Sequence, residues 1–307
     1  MSAKVDLSCE VCGVELANPT ILASGFLGVT ASTLKRAVEL GAGAVTIKSI
    51  GLERREGHKE PVVCEVQSGL LNCVGLSTQG QEAFDELKVA LKEIDAPVIA
   101  SFYGKTTEDY GEIARRLEEI KPSLIEANIS CPNVKDEFGL PFGAKADAAS
   151  QVVKEIKGNS KIPLFVKLTP NVPDIKSIAK AVAEAGADGI TAINSVGPGM
   201  KINVESAKPI LSNNSGGLSG PAIKPIAIRC VYDIFDVVDV PIIGTGGITT
   251  GLDAAEMLMA GATAVGVGTV LMYRGLDSFK LITEELSSFM DENGYSKVKD
   301  LVGIAHG

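Results

Sequence analysis

Gly186-Ala187-Asp188-Gly189-Ile190-Thr191-Ala192-Ile193-Asn194 reads as the end of a helix, a β-branched run, and a polar residue where the run stops. Glycine at the head of this stretch suits the left-handed position that closes a helix, because it has no Cβ to clash there. The same junction recurs as Gly41-Ala42-Gly43-Ala44 and as Gly261-Ala262-Thr263-Ala264. A repeated helix-to-strand step is the mark of a βα module, and the number of modules decides the architecture.

Outward from these junctions, β-branched runs at 20–24, 44–50, 98–102, 124–130, 164–168, 189–194, 242–245 and 264–267 predict eight strands. Segments of helical period at 31–40, 81–94, 108–120, 148–156, 175–185, 222–235, 252–259 and 278–290 predict the helices between and after them. Eight βα units in 307 residues favour an α/β fold of the (β/α)8 TIM-barrel type over a doubly wound sheet. No linker interrupts the pattern, so a single domain over 1–307 is expected.

In such a barrel the chemistry sits at the C-terminal ends of the strands. Ser24, Lys48, Ser101, Asn128, Lys167 and Asn194 all fall there, and two of them are lysines emerging directly from apolar runs. Three connections, 51–80, 131–147 and 196–219, exceed a minimal βα loop and are expected to be binding loops, lids or interfaces. The second carries Gly139 and Gly143, read as hinges of a mobile cover.

The most chemically loaded stretch is Asn128-Ile129-Ser130-Cys131-Pro132-Asn133, a thiol between two carboxamides at the end of a strand. A site that removes a carbon-bound proton from a planar amide needs this combination of a base and paired donor-acceptor groups. After the seventh and eighth strands stand Gly244-Thr245-Gly246-Gly247-Ile248 and Gly266-Val267-Gly268-Thr269. Glycine admits close backbone approach, and paired glycine turns at this position of a barrel suit a phosphate.

Composition removes several classes. A net charge of −9 opposes nucleic-acid backbones, so no nucleic-acid partner is expected. No apolar run reaches the roughly 18 to 20 residues of a membrane span, and Met1-Ser2-Ala3-Lys4-Val5-Asp6 has no apolar signal region, so a cytoplasmic protein with no membrane partner is expected. Of the six cysteines only Cys9 and Cys12 form a Cys-x-x-Cys pair, and His58 and His306 are the only histidines. That is too little for a zinc site of four ligands; no metal is expected, and the thiols are read as reduced.

Ala23-Ser24-Gly25, Lys48-Ser49, Asn72 to Leu76, Asn128 to Lys135, Asn194-Ser195, Gly216 to Pro225, Gly246-Gly247 and Gly268-Thr269 together resemble the motifs of the class 1 dihydroorotate dehydrogenases. In detail the sequence looks most like the class 1B catalytic subunit. The resemblance implies oxidation of (S)-dihydroorotate to orotate in pyrimidine biosynthesis, with Cys131 as general base and one FMN per chain. It places the FMN phosphate on Gly246, Gly247, Gly268 and Thr269, and the rest of the flavin against Ser24, Lys48, Ser49, Asn128, Lys167, Ile193 and Gly220. Lys167 would set its charge near the pyrimidine edge. Substrate amides would pair with Asn72, Asn128, Asn133, Asn194 and Ser195 and with the backbone of Val74, Gly75 and Leu76, while Lys48 faces the carboxylate.

Two departures stand in that pattern: Ser101 occupies the place of an asparagine that usually contacts FMN, and Ser77-Thr78-Gln79-Gly80 replaces an Asn-Pro-Gly turn. The resemblance also implies a homodimer within a heterotetramer, whose second subunit carries FAD and an iron-sulfur cluster and passes electrons to NAD. Alternatives are a class 1A enzyme that reduces fumarate, a dihydropyrimidine dehydrogenase-like enzyme acting on uracil or thymine, a dihydrouridine synthase-like RNA enzyme, and a non-redox phosphate-binding barrel.

Overall fold

The computed structural model describes residues 5–130 and 142–307. Eight parallel strands close into a barrel: β1 (Thr20–Leu22), β2 (Ala44–Thr46), β3 (Val98–Phe102), β4 (Leu124–Asn128), β5 (Leu164–Leu168), β6 (Gly189–Ala192), β7 (Ile242–Thr245) and β8 (Ala264–Val267). Each strand pairs with its sequence neighbours, and β8 pairs with β1 to complete the circle. The strands are buried on both faces, which is why they read as continuous apolar runs rather than as alternation.

Around them lie α1 (Ala31–Glu39), α2 (Gln81–Glu93), α3 (Thr107–Ile120), α4 (Ala146–Asn159), α5 (Ile175–Glu184), α6 (Lys224–Phe235), α7 (Gly251–Met259), the short α8 (Val270–Arg274) and α9 (Ser278–Glu292). α5 shows the rule: Ile175, Ile178, Ala179 and Val182 recur at helical spacing on its buried stripe. The Gly-Ala junctions behave as expected. Gly41, Gly186 and Gly261 have φ of 102°, 106° and 117°. Each amide bonds back into the last turn, as in Gly186 N to Ala183 O at 3.0 Å and Ala187 N to Val182 O at 3.1 Å, the double bond of a Schellman end.

Two apolar layers hold the barrel. One lies between strands and helices and includes Val45, Ile190, Leu34, Ile113 and Val182. The other fills the N-terminal end of the interior with Ile21, Ile99, Phe165 and Ile243, closed from below by Val11 and Leu16 of a hairpin, Cys9–Val11 with Val14–Leu16. Cys9 and Cys12 pack against this plug, and burial pushes their thiols up to about 12 and about 11. They sit at the opposite end of the barrel from the strand C-termini.

Several boundaries differ from expectation. The runs at 20–24, 44–50, 124–130 and 189–194 leave the strand ladder at Leu22, Thr46, Asn128 and Ala192. Beyond those points pairing becomes irregular: Ile47 N still bonds Ile99 O at 3.0 Å and Ile193 N bonds Thr245 O at 2.9 Å, whereas Lys48 N bonds Gly28 O at 2.9 Å in place of a neighbouring strand. The helix expected at 222–235 opens with a tight turn, Pro221–Ile223, before α6, and α4 extends beyond 148–156 at both ends.

The long connections 51–80 and 196–219 form a four-stranded antiparallel sheet from Val63–Val66, Gly69–Asn72, Val196–Gly199 and Gly216–Ser219. This sheet has its own small core of Leu71, Cys73 and Leu211 and stands beside the mouth of the barrel. Its strands are too short and glycine-rich for periodicity to reveal. Cys131, Asn133, Lys135 and Gly139 lie outside the described residues. Gly143, expected to be a hinge, is buried, and its amide donates to Ile129 O at 2.9 Å.

Candidate functional site

A cavity of about 420 Å³ opens at the C-terminal ends of the barrel strands. Its wall is built from residues at the strand ends, such as Asn128 and Lys167, and just past them, such as Ser24, Lys48 and Ile193, together with segments of the long connections, such as Asn72 and Ser219.

At one end the wall is glycine. Gly246 and Gly247, after β7, have φ of 134° and 77°, a region that disfavours any residue with a Cβ. A Cβ on Gly247 would stand 2.5 Å from Lys224 Cβ, and one on Gly246 would stand 2.7 Å from Ala227 Cβ. Gly268 and Thr269 follow β8 on the same side, and Gly220, with φ of 98°, adjoins them. Thr269 Oγ1 donates to Ser219 Oγ at 2.9 Å.

The turn is anchored by Asp253 at the head of α7. Its Oδ2 accepts from Thr249 N and Thr250 N, both at 2.9 Å, and its Oδ1 accepts from Lys224 Nζ at 2.8 Å. Burial raises the Asp253 pKa, but these bonds outweigh it and hold the carboxyl below the usual aspartate range.

Polar side chains from β1 to β5 form the adjoining wall. Asn128 and Lys167 are register partners on β4 and β5, which sets them side by side. Asn128 Nδ2 donates to Ser49 Oγ at 3.2 Å, and Ser24 Oγ donates to Ile47 O at 3.2 Å. Ser24, Lys48, Ser49, Asn128, Lys167 and Ile193 all line the cavity. Ser101 does not. It is fully buried one step lower on β3 and shares a 2.9 Å hydrogen bond with Ser49 from behind. Ser101, expected to contact a cofactor, stands behind the wall and supports Ser49.

The other end carries carboxamides. Asn72, Val74, Gly75, Leu76, Asn194 and Ser195 line it. Asn72 Nδ2 donates to Gly217 O at 3.2 Å, and Asn194 Nδ2 donates to Ser130 Oγ at 2.9 Å. The 72–77 segment is tied down from outside by Tyr103 Oη donating to Leu76 O at 2.9 Å and Arg55 Nε donating to Gly75 O at 2.7 Å. Lys48 Nζ donates to Ser77 Oγ at 2.5 Å, and burial lowers the Lys48 pKa from its ordinary value.

Among the described residues that line the cavity there are two lysines, Lys48 and Lys167, and no aspartate or glutamate, in a chain whose net charge is −9. Such a lining takes an anion. Positive φ and close packing on Lys224 and Ala227 reserve Gly246 and Gly247 for glycine, which leaves bare backbone at this end of the cavity, so the residues present fit a phosphate-bearing cofactor as large as a flavin nucleotide.

Sequence reading missed Asp253, Ser219 and the pairing of Ser77 with Lys48. Thr250-x-x-Asp253 ahead of an apolar run is the signature of a capping box and marks Asp253. No local signal marks the other two.

The family described as "Dihydroorotate dehydrogenase" matches residues 6–290. Curated relatives named "Dihydroorotate dehydrogenase B (NAD(+)), catalytic subunit" include those of Methanothermobacter thermautotrophicus and Methanocaldococcus jannaschii, each 47% identical over 98% of both chains. The Pyrococcus abyssi relative of the same name is 44% identical over 97% of this chain and 99% of its own. A solved structure of DHODH in complex with ferulenol, from Eimeria tenella, shares the fold with a TM-score of 0.84 at 24% identity, covering 98% of this chain and 89% of that one. No helix among the described residues is long and apolar enough to cross a membrane.

Proposed function

The chain belongs to the dihydroorotate dehydrogenase family, and from that premise we propose that it is the catalytic subunit of a B-type enzyme, oxidising (S)-dihydroorotate to orotate in pyrimidine biosynthesis in the cytoplasm. The observation that carries this reading is the cavity itself, glycine at one end, carboxamides at the other, two lysines and no described carboxylate in its wall.

In this reading Gly246, Gly247, Gly268 and Thr269 hold the phosphate of FMN, and Ser24, Ser49, Asn128, Ile193 and Gly220 hold its ring system and ribityl chain. Bound FMN supplies the acceptor for the hydride that leaves C6 of dihydroorotate. The chain's own residues do the rest. Cys131, as thiolate, takes the C5 proton; the C5–H electron pair becomes the C5=C6 double bond of orotate as the hydride departs. A free thiol titrates near about 8.5, so positive charge from Lys48 or Lys135 favours the thiolate.

Lys48 meets the substrate carboxylate, whose negative charge offsets the burial that lowers the Lys48 pKa. Asn72, Asn128, Asn133, Asn194 and Ser195, with the 74–76 backbone, pair with the ring amides. Lys167 places positive charge where negative charge collects.

Electrons must then leave. Cys9 and Cys12 sit under the plug at the far end of the barrel and are too few for a cluster of about four thiolates. A second subunit carrying FAD and an iron-sulfur cluster, assembled as a heterotetramer around a homodimer of this chain, completes the path to NAD.

Purified chain should release FMN and no FAD, and its flavin absorbance should bleach on anaerobic mixing with dihydroorotate. NAD should be reduced only after the partner subunit is added. Absence of flavin would overturn the reading, and turnover with fumarate as the sole acceptor would move the chain to the A-type.

A further inference from the structure

Glu126 is the one acidic residue of the strand Leu124-Ile125-Glu126-Ala127-Asn128 and is 4% exposed. Its Oε2 accepts a hydrogen bond from Thr191 Oγ1 at 2.9 Å. Its Oε1 has no hydrogen-bond partner. Glu126 lies on β4 and Thr191 on β6, with β5 between them, so this bond passes a whole strand and runs through the barrel interior.

On β5, the register partner of Thr191 is Lys167. The Glu126 carboxylate therefore lies at the root of the lysine whose side chain lines the cavity above. The register neighbour of Glu126 on the other side is Ser101, which shares its hydroxyl bond with Ser49. Thr191 serves Oε2 and Ser101 serves Ser49, so the cation placed nearest along the ladder to the unpaired Oε1 is Lys167, which acts on it across the barrel interior and not through a direct ion pair. Lys167 in turn has no hydrogen bond or ion pair with a described residue. A buried carboxylate oxygen without a partner is destabilising, so packing alone does not explain an acid at this depth.

We propose that Glu126 is a positioning residue: its buried carboxylate is the counter-charge to Lys167 inside the barrel and limits how much of the lysine's positive field reaches the bound cofactor. The assignment rests on the reading of the cavity as an FMN site. It makes the reduction potential of that site a compromise between two buried charges rather than the effect of a lone lysine.

The test is a reductive titration of the FMN-loaded full chain against a reference dye, for wild type, Glu126→Gln, Lys167→Ala and the double variant. Glu126→Gln keeps the shape and removes the charge. Freed from its counter-charge, Lys167 should favour the reduced state by about tenfold, about 30 mV for a two-electron couple. In the Lys167→Ala background the same substitution should change the ratio by roughly twofold or less, because Glu126 acts through Lys167.

Thr191→Val is the second variant, should Glu126→Gln fail to fold. It releases the carboxylate wholly to Lys167 and should shift the ratio the other way by roughly two- to threefold. An unmoved potential in folded, FMN-bound Glu126→Gln overturns the proposal, and so does a full shift that persists without Lys167. A chain that binds no FMN overturns the reading of the site, whereas bound FMN with an unmoved potential removes only the role of Glu126.

Discussion

The Lys48 ammonium donates to the Ser77 hydroxyl at 2.5 Å, joining the end of the second barrel strand to the segment that carries Asn72, Val74, Gly75 and Leu76. Ser77 belongs to the Ser-Thr-Gln stretch that stands in place of the family's usual turn. The departure thus falls on the residue that aims the cation expected to meet the substrate carboxylate.

Ser77→Ala should weaken orotate binding by roughly fivefold, the worth of one aiming hydrogen bond, and Lys48→Ala by roughly ten- to a hundredfold, the range for a bond to a charged group. Burial favours the neutral amine of Lys48. Orotate affinity should therefore decline as pH rises through a value below the usual lysine range of about 10.4, and this alkaline limb should vanish in Lys48→Ala. Titration followed by flavin absorbance checks both points, with uracil, which lacks the carboxylate, as a ligand whose binding stays insensitive to Lys48.

Lys167→Ala should retain FMN, since the glycine turns are untouched, yet slow flavin reduction at saturating dihydroorotate by about 10² to 10³, the usual loss for one electrostatic stabiliser in a water-excluded site. Stopped-flow absorbance measures it. An unchanged rate would remove Lys167 from the chemistry.

Cys131→Ala should lower flavin reduction by roughly 10² to 10⁴, the contribution of a general base. Cys131→Ser should recover activity only at high pH, because a hydroxyl yields its proton far less readily than a thiol. Orotate should still perturb the flavin spectrum of both variants through Asn72, Asn128 and Asn194. Near-normal reduction by the Ala variant would eliminate the residue as the base.

Asp253→Asn should destabilise the fold by about 1–2 kcal/mol and weaken FMN retention, because it removes charge-assisted bonds from Lys224, Thr249 and Thr250 beside the Gly246-Gly247 turn. The folded carboxyl titrates below its ordinary value. Its contribution is present above the unfolded value of about 3.9 and is lost as pH falls through the folded one, so the gap between wild type and variant should be full at neutral pH and shrink below about pH 4. Thermal denaturation across that range, with released FMN measured by fluorescence, tests it.

The sequence by itself determined the eight βα modules, their order, and the polar residues at the strand ends. These are local properties: β-branched runs, helical spacing of apolar residues, and a glycine where each Schellman end needs a positive φ, as at Gly41, Gly186 and Gly261. The site was legible for the same reason, since a barrel brings all its strand ends to one face, and Ser24, Lys48, Asn128, Lys167, Asn194, Gly246 and Gly268 accordingly meet in one cavity.

Tertiary structure alone decided what depends on depth and on partners far along the chain. Asn72 meets Gly217 across 145 residues, in a sheet built from two loops whose strands are too short to announce themselves. Ser101 and Ser49 look alike in sequence, yet closure of the barrel puts one behind the wall and the other on it. Strand stagger, which no local window contains, likewise carries the Glu126 carboxylate past β5 to Thr191, at the root of Lys167.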